Sequence, residues 1–323
     1  MLSEVMSYYG LARDFGQAGY FETEQSRRVL KELKLAIQAG KLVGLSGVVG
    51  SGKTATLRHV QEQLGKEKDC LVAKSLSVEK SQISLGTLIL ALFYDLATEK
   101  DFKVPTQPER RERALRDLIK RRQKTVALFI DEAHDLHSKT LVGLKRLMEV
   151  VRDGGGTLSV VLAGHPKLKN DLRRPSMEEI GSRAAVFELE GFGGEKRHYV
   201  QWLLSEVLSP KAKLDAIITA EALSILSDRL TTPLQFEQYL TLALEEGYKV
   251  GQKPVGAEVI DTVLAKDLDG LEPRLTRQGY NVKALADLLN AKPAEVRSFL
   301  RGKLPPSQTQ EFQNEIRAAG IPL

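Results

Sequence analysis

Gly47-Val48-Val49-Gly50-Ser51-Gly52-Lys53-Thr54 is a G-x-x-x-x-G-K-T segment that directly follows the apolar run LVGLS at 42–46. Glycines at these spacings let successive backbone N–H groups curl around phosphate oxygens. A helix starting at the lysine adds the positive end of its dipole. The segment therefore calls for a buried strand before it and a helix after it. In that setting Lys53 reaches the β- and γ-phosphates of a nucleotide, and the Thr54 hydroxyl holds Mg²⁺.

Neighbouring stretches supply the sheet that such a loop needs. Apolar runs at 42–46, 70–76, 125–131, 158–164 and 185–191 read as buried strands, separated by helical patterns at 54–64, 83–97, 110–122 and 140–152. The alternation predicts an α/β fold, a parallel sheet with helices on both faces. Beyond Gly194 the strand signals vanish, and 195–208, 220–230, 234–248 and 257–265 all read as helices, with Pro233 opening one of them. A loop around 267–273 leads to two short amphipathic helices, 282–289 and 293–300, joined by Asn290-Ala291-Lys292 in the manner of a helix-turn-helix. A last helix ends near Ala319. The resulting division is an α/β nucleotide domain at 1–192, an all-helical unit at 193–268 and a small basic helical unit at 269–323.

Composition excludes several classes. A length of 323 residues suits two domains and a small third, at roughly 150 residues per domain. With 42% hydrophobic and 28% charged residues, a disordered or fibrous chain is ruled out. The single cysteine, Cys70, cannot form an internal disulfide or a cysteine-based metal cluster, and reads as a packed core thiol. No apolar run approaches the length of a transmembrane helix, and the N-terminus lacks a signal-peptide pattern, so a cytoplasmic protein without membrane contact is expected. The net charge of +5 is concentrated in two islands: nine basic against three acidic residues over Lys103–Lys124, and eight against four over Arg274–Leu323. Each is either a polyanion-binding surface or a solvated helix face.

A second chemical signal is Leu128-Phe129-Ile130-Asp131-Glu132, an apolar strand ending in two carboxylates. Beside a phosphate loop, the first carboxylate assists Mg²⁺ and the second can orient and deprotonate an attacking water. Asp131 is thus the metal residue and Glu132 the catalytic one. The alternative is simple capping of the next helix.

Phosphate loop, Asp131-Glu132, a strand with a polar tip and a helical remainder together resemble the AAA+ ATPases. Within them, LFIDEAHDL (128–136) and VVLAGHPKLKNDLRRPSMEEIGSRAAVFELEGF (160–192) are similar to two narrower groups. One is the ExeA-type secretion ATPases; the other is the transposition-regulator ATPases (the MuB, TnsC, TniB and IstB group). The resemblance covers about residues 1–265 and implies ATP and Mg²⁺ as cofactors, with the 193–268 unit as a lid. It implies nucleotide contacts from Gly47 through Thr54, from Thr56 and from the lid. The text DEAH at 131–134 also matches a helicase signature, but the further arginine motifs of two-domain helicases are missing.

Carried over by position, His165 at the tip of the fourth strand becomes a polar sensor of the γ-phosphate, with a turn-capping histidine as the other reading. Arg183, just before the last strand, becomes the arginine finger offered to a neighbouring subunit, with Arg173 and Arg174 as rivals. A finger in trans implies a homo-oligomer, a ring or helical filament. At the lid, Gln235 stands where many AAA+ proteins keep an arginine, which fits a slow ATP-controlled switch better than rapid turnover. Tyr8, Tyr9 and Phe21 precede the first strand, where the family packs the adenine; core packing is the alternative.

Lys292, Arg297, Arg301 and Lys303 crowd the second helix of the C-terminal pair. This resembles a repressor-like helix-turn-helix for double-stranded DNA, the alternative being a basic hairpin that docks on protein. The transposition group implies ATP-driven assembly on DNA, recruitment of a transposase and disassembly on hydrolysis. The secretion group implies protein partners and usually continues into a membrane span; the basic tail here favours DNA. A non-catalytic ATP-gated scaffold is the third possibility.

Overall fold

The computed structural model describes residues 1–67, 70–74, 83–97, 104–173, 177–181, 183–264, 270–300 and 302–323. Five parallel strands, β1 (Leu42–Gly47), β2 (Cys70–Lys74), β3 (Thr125–Ile130), β4 (Leu158–Gly164) and β5 (Ala184–Leu189), form one sheet in the order β2-β3-β4-β1-β5. Ser46 lies level with Gly164, and Gly47 level with Leu189, so the carboxyl ends of β1, β4 and β5 meet at one edge. Ligands of open parallel sheets bind at that edge, where the chain direction across the sheet reverses.

Side chains alternate between two cores, as the pleat requires. Val126, Leu128 and Ile130 of β3 join one hydrophobic cluster, and Ala127 and Phe129 join the other. On the first face lie α4 (Leu85–Leu96), α5 (Pro108–Arg122), α6 (Ser138–Asp153), α7 (Pro166–Leu172) and the short α8 (Glu178–Gly181). The second face is covered by α2 (Glu24–Gln38) and α3 (Lys53–Glu67), where Cys70 is buried as expected of a core thiol.

The lid comprises α9 (Lys196–Val207), α10 (Ala220–Arg229), α11 (Pro233–Lys249) and α12 (Ala257–Leu264). Its core also takes in Val5 and Tyr9 of α1 (Ser3–Tyr9), together with Leu11, Phe15 and Ala18. The chain's first eighteen residues thus pack with the lid and not against the sheet. Their apolar side chains carry no sequence mark saying which of two cores they will join.

A fourth cluster closes the C-terminal unit, α13 (Leu271–Arg277), α14 (Val282–Leu288), α15 (Pro293–Leu300) and α16 (Pro306–Ala318). The two helices expected at 282–300 form, with Asn290 in the left-handed conformation at the turn between them. Of the loop expected at 267–273, residues 271–273 belong instead to α13; Pro273 is tolerated because the first helical turn needs no N–H donor there. Residues 265–269 lie outside the described residues, as do Arg174 and Arg301.

Candidate nucleotide-binding site

Gly50 and Gly52 adopt φ of +79° and +89°, conformations that glycine reaches without strain. A Cβ on Gly50 would lie 2.6 Å from Leu234 Cβ, because the start of α11 closes directly on the loop. The Leu234 N–H also donates to Gly50 O at 3.3 Å. Lid and phosphate loop are therefore in contact, and the loop's curvature depends on glycine.

Lys53 begins α3 and is 6% exposed. Its Nζ donates to Gly47 O and Val48 O, each at 3.0 Å. Burial pushes its pKa down, opposed by the carboxylates of Glu132 and Asp131. One residue on, Thr54 Oγ1 donates to Asp131 Oδ2 at 2.7 Å, and Asp131 Oδ1 accepts the Glu132 N–H at 2.9 Å. A hydroxyl and a carboxylate converging beside a phosphate loop form an oxygen donor set suited to Mg²⁺, which takes one or two protein oxygens together with substrate phosphates and water.

Glu132 has φ +54° and ψ 37°, a left-handed conformation uncommon for a residue with a Cβ. The twist ends β3 and turns the chain into a short 3₁₀ segment at Ala133–Asp135. Two imidazoles sit beside its carboxylate. His134 Nδ1 is 3.3 Å and His165 Nε2 3.7 Å from Glu132 Oε2, and the two rings stack at 3.8 Å between centroids. Burial lowers both histidine pKa values, that of His165 to about 3, with His134, Lys53 and Lys167 adding to the effect on His165. Both rings are neutral at physiological pH.

A cleft of about 390 Å³ runs from the phosphate loop to an aromatic wall that includes Phe15, Tyr20, Phe21 and Trp202. Lys53, Thr54, Thr56, Glu132 and His165 line it. Tyr20 is fixed by a hydroxyl contact to Thr56 Oγ1 at 3.3 Å and by stacking on His59 at 4.5 Å. Of the three aromatic residues named ahead of β1, Phe21 lines this cleft. Tyr8 and Tyr9 do not: Tyr9 is buried in the lid core, and its hydroxyl, donating to Gln252 O at 2.8 Å, is pushed up to about 12 chiefly by burial. Sequence reading missed Tyr20 and Trp202, for which no local pattern signals exposure to the cleft.

Gln235 is 8% exposed, and its Oε1 accepts from Thr231 N–H, Thr231 Oγ1 and Thr232 N–H. With the Thr232 hydroxyl accepting the Gln235 N–H, it completes a capping box at the start of α11. The structure thus engages this side chain in holding the helix end, while Pro233, Leu234 and Glu237 reach the cleft. Arg183 lies just before β5, at the sheet edge opposite the phosphate loop, and donates to Glu149 Oε1 at 3.0 Å. A six-residue strand spans about 20 Å, so Arg183 is out of reach of its own chain's phosphate loop. Arg173, the rival finger, ends α7 and is exposed.

The sheet, its loop and its helical extension are the AAA+ P-loop α/β fold with a helical C-terminal region. The overall structure is similar to Cdc6p from Pyrobaculum aerophilum, with a TM-score of 0.59 at 16% identity over 96% of this chain and 91% of that one. It is also similar to the Aeropyrum pernix ORC1 protein in its complex with DNA, with a TM-score of 0.52 at 13% identity, covering 94% and 85% of the two chains. In sequence, residues 37–172 match the family described as AAA domain. General secretion pathway protein A from Aeromonas hydrophila is 28% identical over 171 residues. That match covers 50% of this chain but 29% of the relative, so the chain spans less than a third of the curated protein it resembles.

Proposed function

We propose that this protein is an ATPase that assembles with ATP on double-stranded DNA, recruits or stimulates a transposase there, and disassembles when ATP is hydrolysed. The observation that carries the ATPase reading is the convergence of Lys53, Thr54, Asp131 and Glu132 at one end of a cleft with an aromatic wall. Glu132 acts as the base for water, with His165 beside it as the polar group facing the γ-phosphate. Mg²⁺, held by Thr54 and Asp131, would neutralise phosphate charge. Arg183, out of reach of its own loop, is the residue offered to a neighbour, which makes the hydrolysing form a ring or helical filament.

Basic surface supports the DNA reading. Arg110, Arg113, Lys120 and Arg121 of α5 are exposed, as are Lys283, Lys292, Arg297 and Lys303 on the C-terminal helix pair. The structural similarity to a DNA-bound ORC1 protein is compatible with it. A second reading, action on protein partners in secretion, rests on the likeness to general secretion pathway protein A. Among the described residues no helix is long and apolar enough to cross a membrane.

Electron microscopy of the full chain with DNA and with ATP, ADP or no nucleotide tests the proposal. Rings or filaments on DNA with ATP alone are expected. Nucleotide-dependent assembly that ignores DNA would leave the protein-directed reading in its place.

A further inference from the structure

The end of α13 and the loop that leaves it reach out of the C-terminal unit and touch the nucleotide site at two points and the adjoining α7 at a third. The Val49 N–H, inside the phosphate loop, donates to Arg277 O at 2.7 Å. Gly279, at φ +92°, lies against His165: a Cβ there would fall 2.7 Å from His165 Cβ and 2.8 Å from its Nδ1. Tyr280 accepts a hydrogen bond at its hydroxyl from Asn170 Nδ2 at 2.8 Å, and Asn170 belongs to α7, the helix that His165 begins. The loop is rigidly tied to its own unit, since Leu275 and Tyr280 are buried in that core and Gln278 Nε2 donates to Pro322 O at 3.2 Å.

We propose that Arg277–Tyr280 is a positioning element of the nucleotide site, through which the C-terminal unit orients His165 and the turn of the phosphate loop at Val49. This inference rests on the nucleotide-binding reading above and adds to it a route of control. His165 Nδ1 is buried with no hydrogen-bond partner and is sealed by Gly279, whereas Nε2 faces the Glu132 carboxylate at 3.7 Å. A neutral ring so placed keeps its proton on Nε2, the nitrogen with an acceptor in view. Docking of the loop thereby fixes both the ring's direction and the tautomer that presents an N–H to the cleft. Because the contacts are mutual, any ligand that moves the C-terminal unit changes the nucleotide site, and nucleotide changes the unit's docking by the same factor.

The test uses the full chain and two substitutions outside the cleft lining. Gly279→Ala forces a Cβ into His165 and disfavours the left-handed backbone, so it undocks the loop. Tyr280→Phe removes only the hydroxyl that Asn170 engages. Gly279→Ala is expected to lower kcat for ATP by about 10²-fold, the scale of a small misplacement of a reacting group, while KM changes little. Tyr280→Phe lowers kcat less, and adding Asn170→Ala to it produces no further loss. Nitrogen NMR of the His165 ring reports Nε2–H in the parent chain and a mixture of tautomers in Gly279→Ala, and amide exchange at Val49 accelerates in that variant. Unchanged kinetics, ring signals and exchange in both folded variants would overturn the inference. A parent chain that fails to hydrolyse ATP would defeat the proposed function instead, and the ring signals and the exchange at Val49 would still decide the docking.

Discussion

Thr54 Oγ1 donates to Asp131 Oδ2 at 2.7 Å, tying the first turn of α3 to the end of β3. Two segments 77 residues apart thus present a hydroxyl and a carboxylate at one point, next to the loop that would carry phosphates. Asp131→Asn keeps the size of the side chain and removes its charge. It is expected to weaken Mg²⁺-dependent ATP hydrolysis by at least tenfold, the scale of one lost charge-assisted contact of about 1.5–3 kcal/mol. Hydrolysis rates across a Mg²⁺ titration measure this, and a curve that superimposes on the parent's would remove Asp131 from the metal site.

Glu132→Gln keeps the size of the side chain at this left-handed position and removes the carboxylate proposed as the base. Hydrolysis is expected to fall on the order of 10²–10⁴-fold, with binding of a fluorescent ATP analogue retained. Single-turnover assays separate the two. Equal turnover in variant and parent would mean that the protein is a nucleotide-gated scaffold.

Stability carries a histidine signature. Burial lowers His165 from 6.5 to about 3 and shifts His134 in the same direction. Between those values the unfolded chain takes up protons that the folded chain refuses, so this stability is fully present above about 6.5 and is lost as pH falls toward 3. Glu237, raised mainly by burial, contributes with the opposite sign. His165→Gln should therefore show a shallower loss of Tm between pH 7.5 and pH 5 than the parent chain. Parallel Tm profiles would show that His165 is not held neutral by the fold.

Gln235 tests a distinction between structure and sensing. Its side chain serves the capping box of α11, so Gln235→Ala is expected to cost about 1 kcal/mol of stability. ATP affinity should stay within about threefold, a difference under 1 kcal/mol. Denaturant titration and nucleotide binding on the same sample check both halves. A large loss of affinity at unchanged stability would return Gln235 to the nucleotide.

These residues also show what was legible in the sequence. Gly47–Thr54 and Asp131-Glu132 were readable because their chemistry depends on local spacing at strand ends, and the strands around them are continuous apolar runs. The cap was readable too: Thr232-x-x-Gln235 is a capping-box pattern, masked by the expectation of a lid arginine at that position. Tyr8 and Tyr9 were not, since an aromatic side chain before β1 can enter either the cleft or the lid core, and only tertiary packing decides. The Arg277–Tyr280 loop lies outside local reasoning altogether. Its contacts to Val49, His165 and Asn170 span more than 100 residues, and Gly279 looks like any other turn glycine.

ATP-controlled assembly on DNA is tested by double-stranded DNA binding with ATP, ADP and no nucleotide across a salt series. Tight binding with ATP alone is predicted, with the logarithm of the affinity falling steeply and linearly against the logarithm of salt, as expected when many phosphates are contacted by lysines and arginines. Absence of binding with ATP, on DNA of any length and at low salt, would rule out ATP-controlled assembly on DNA.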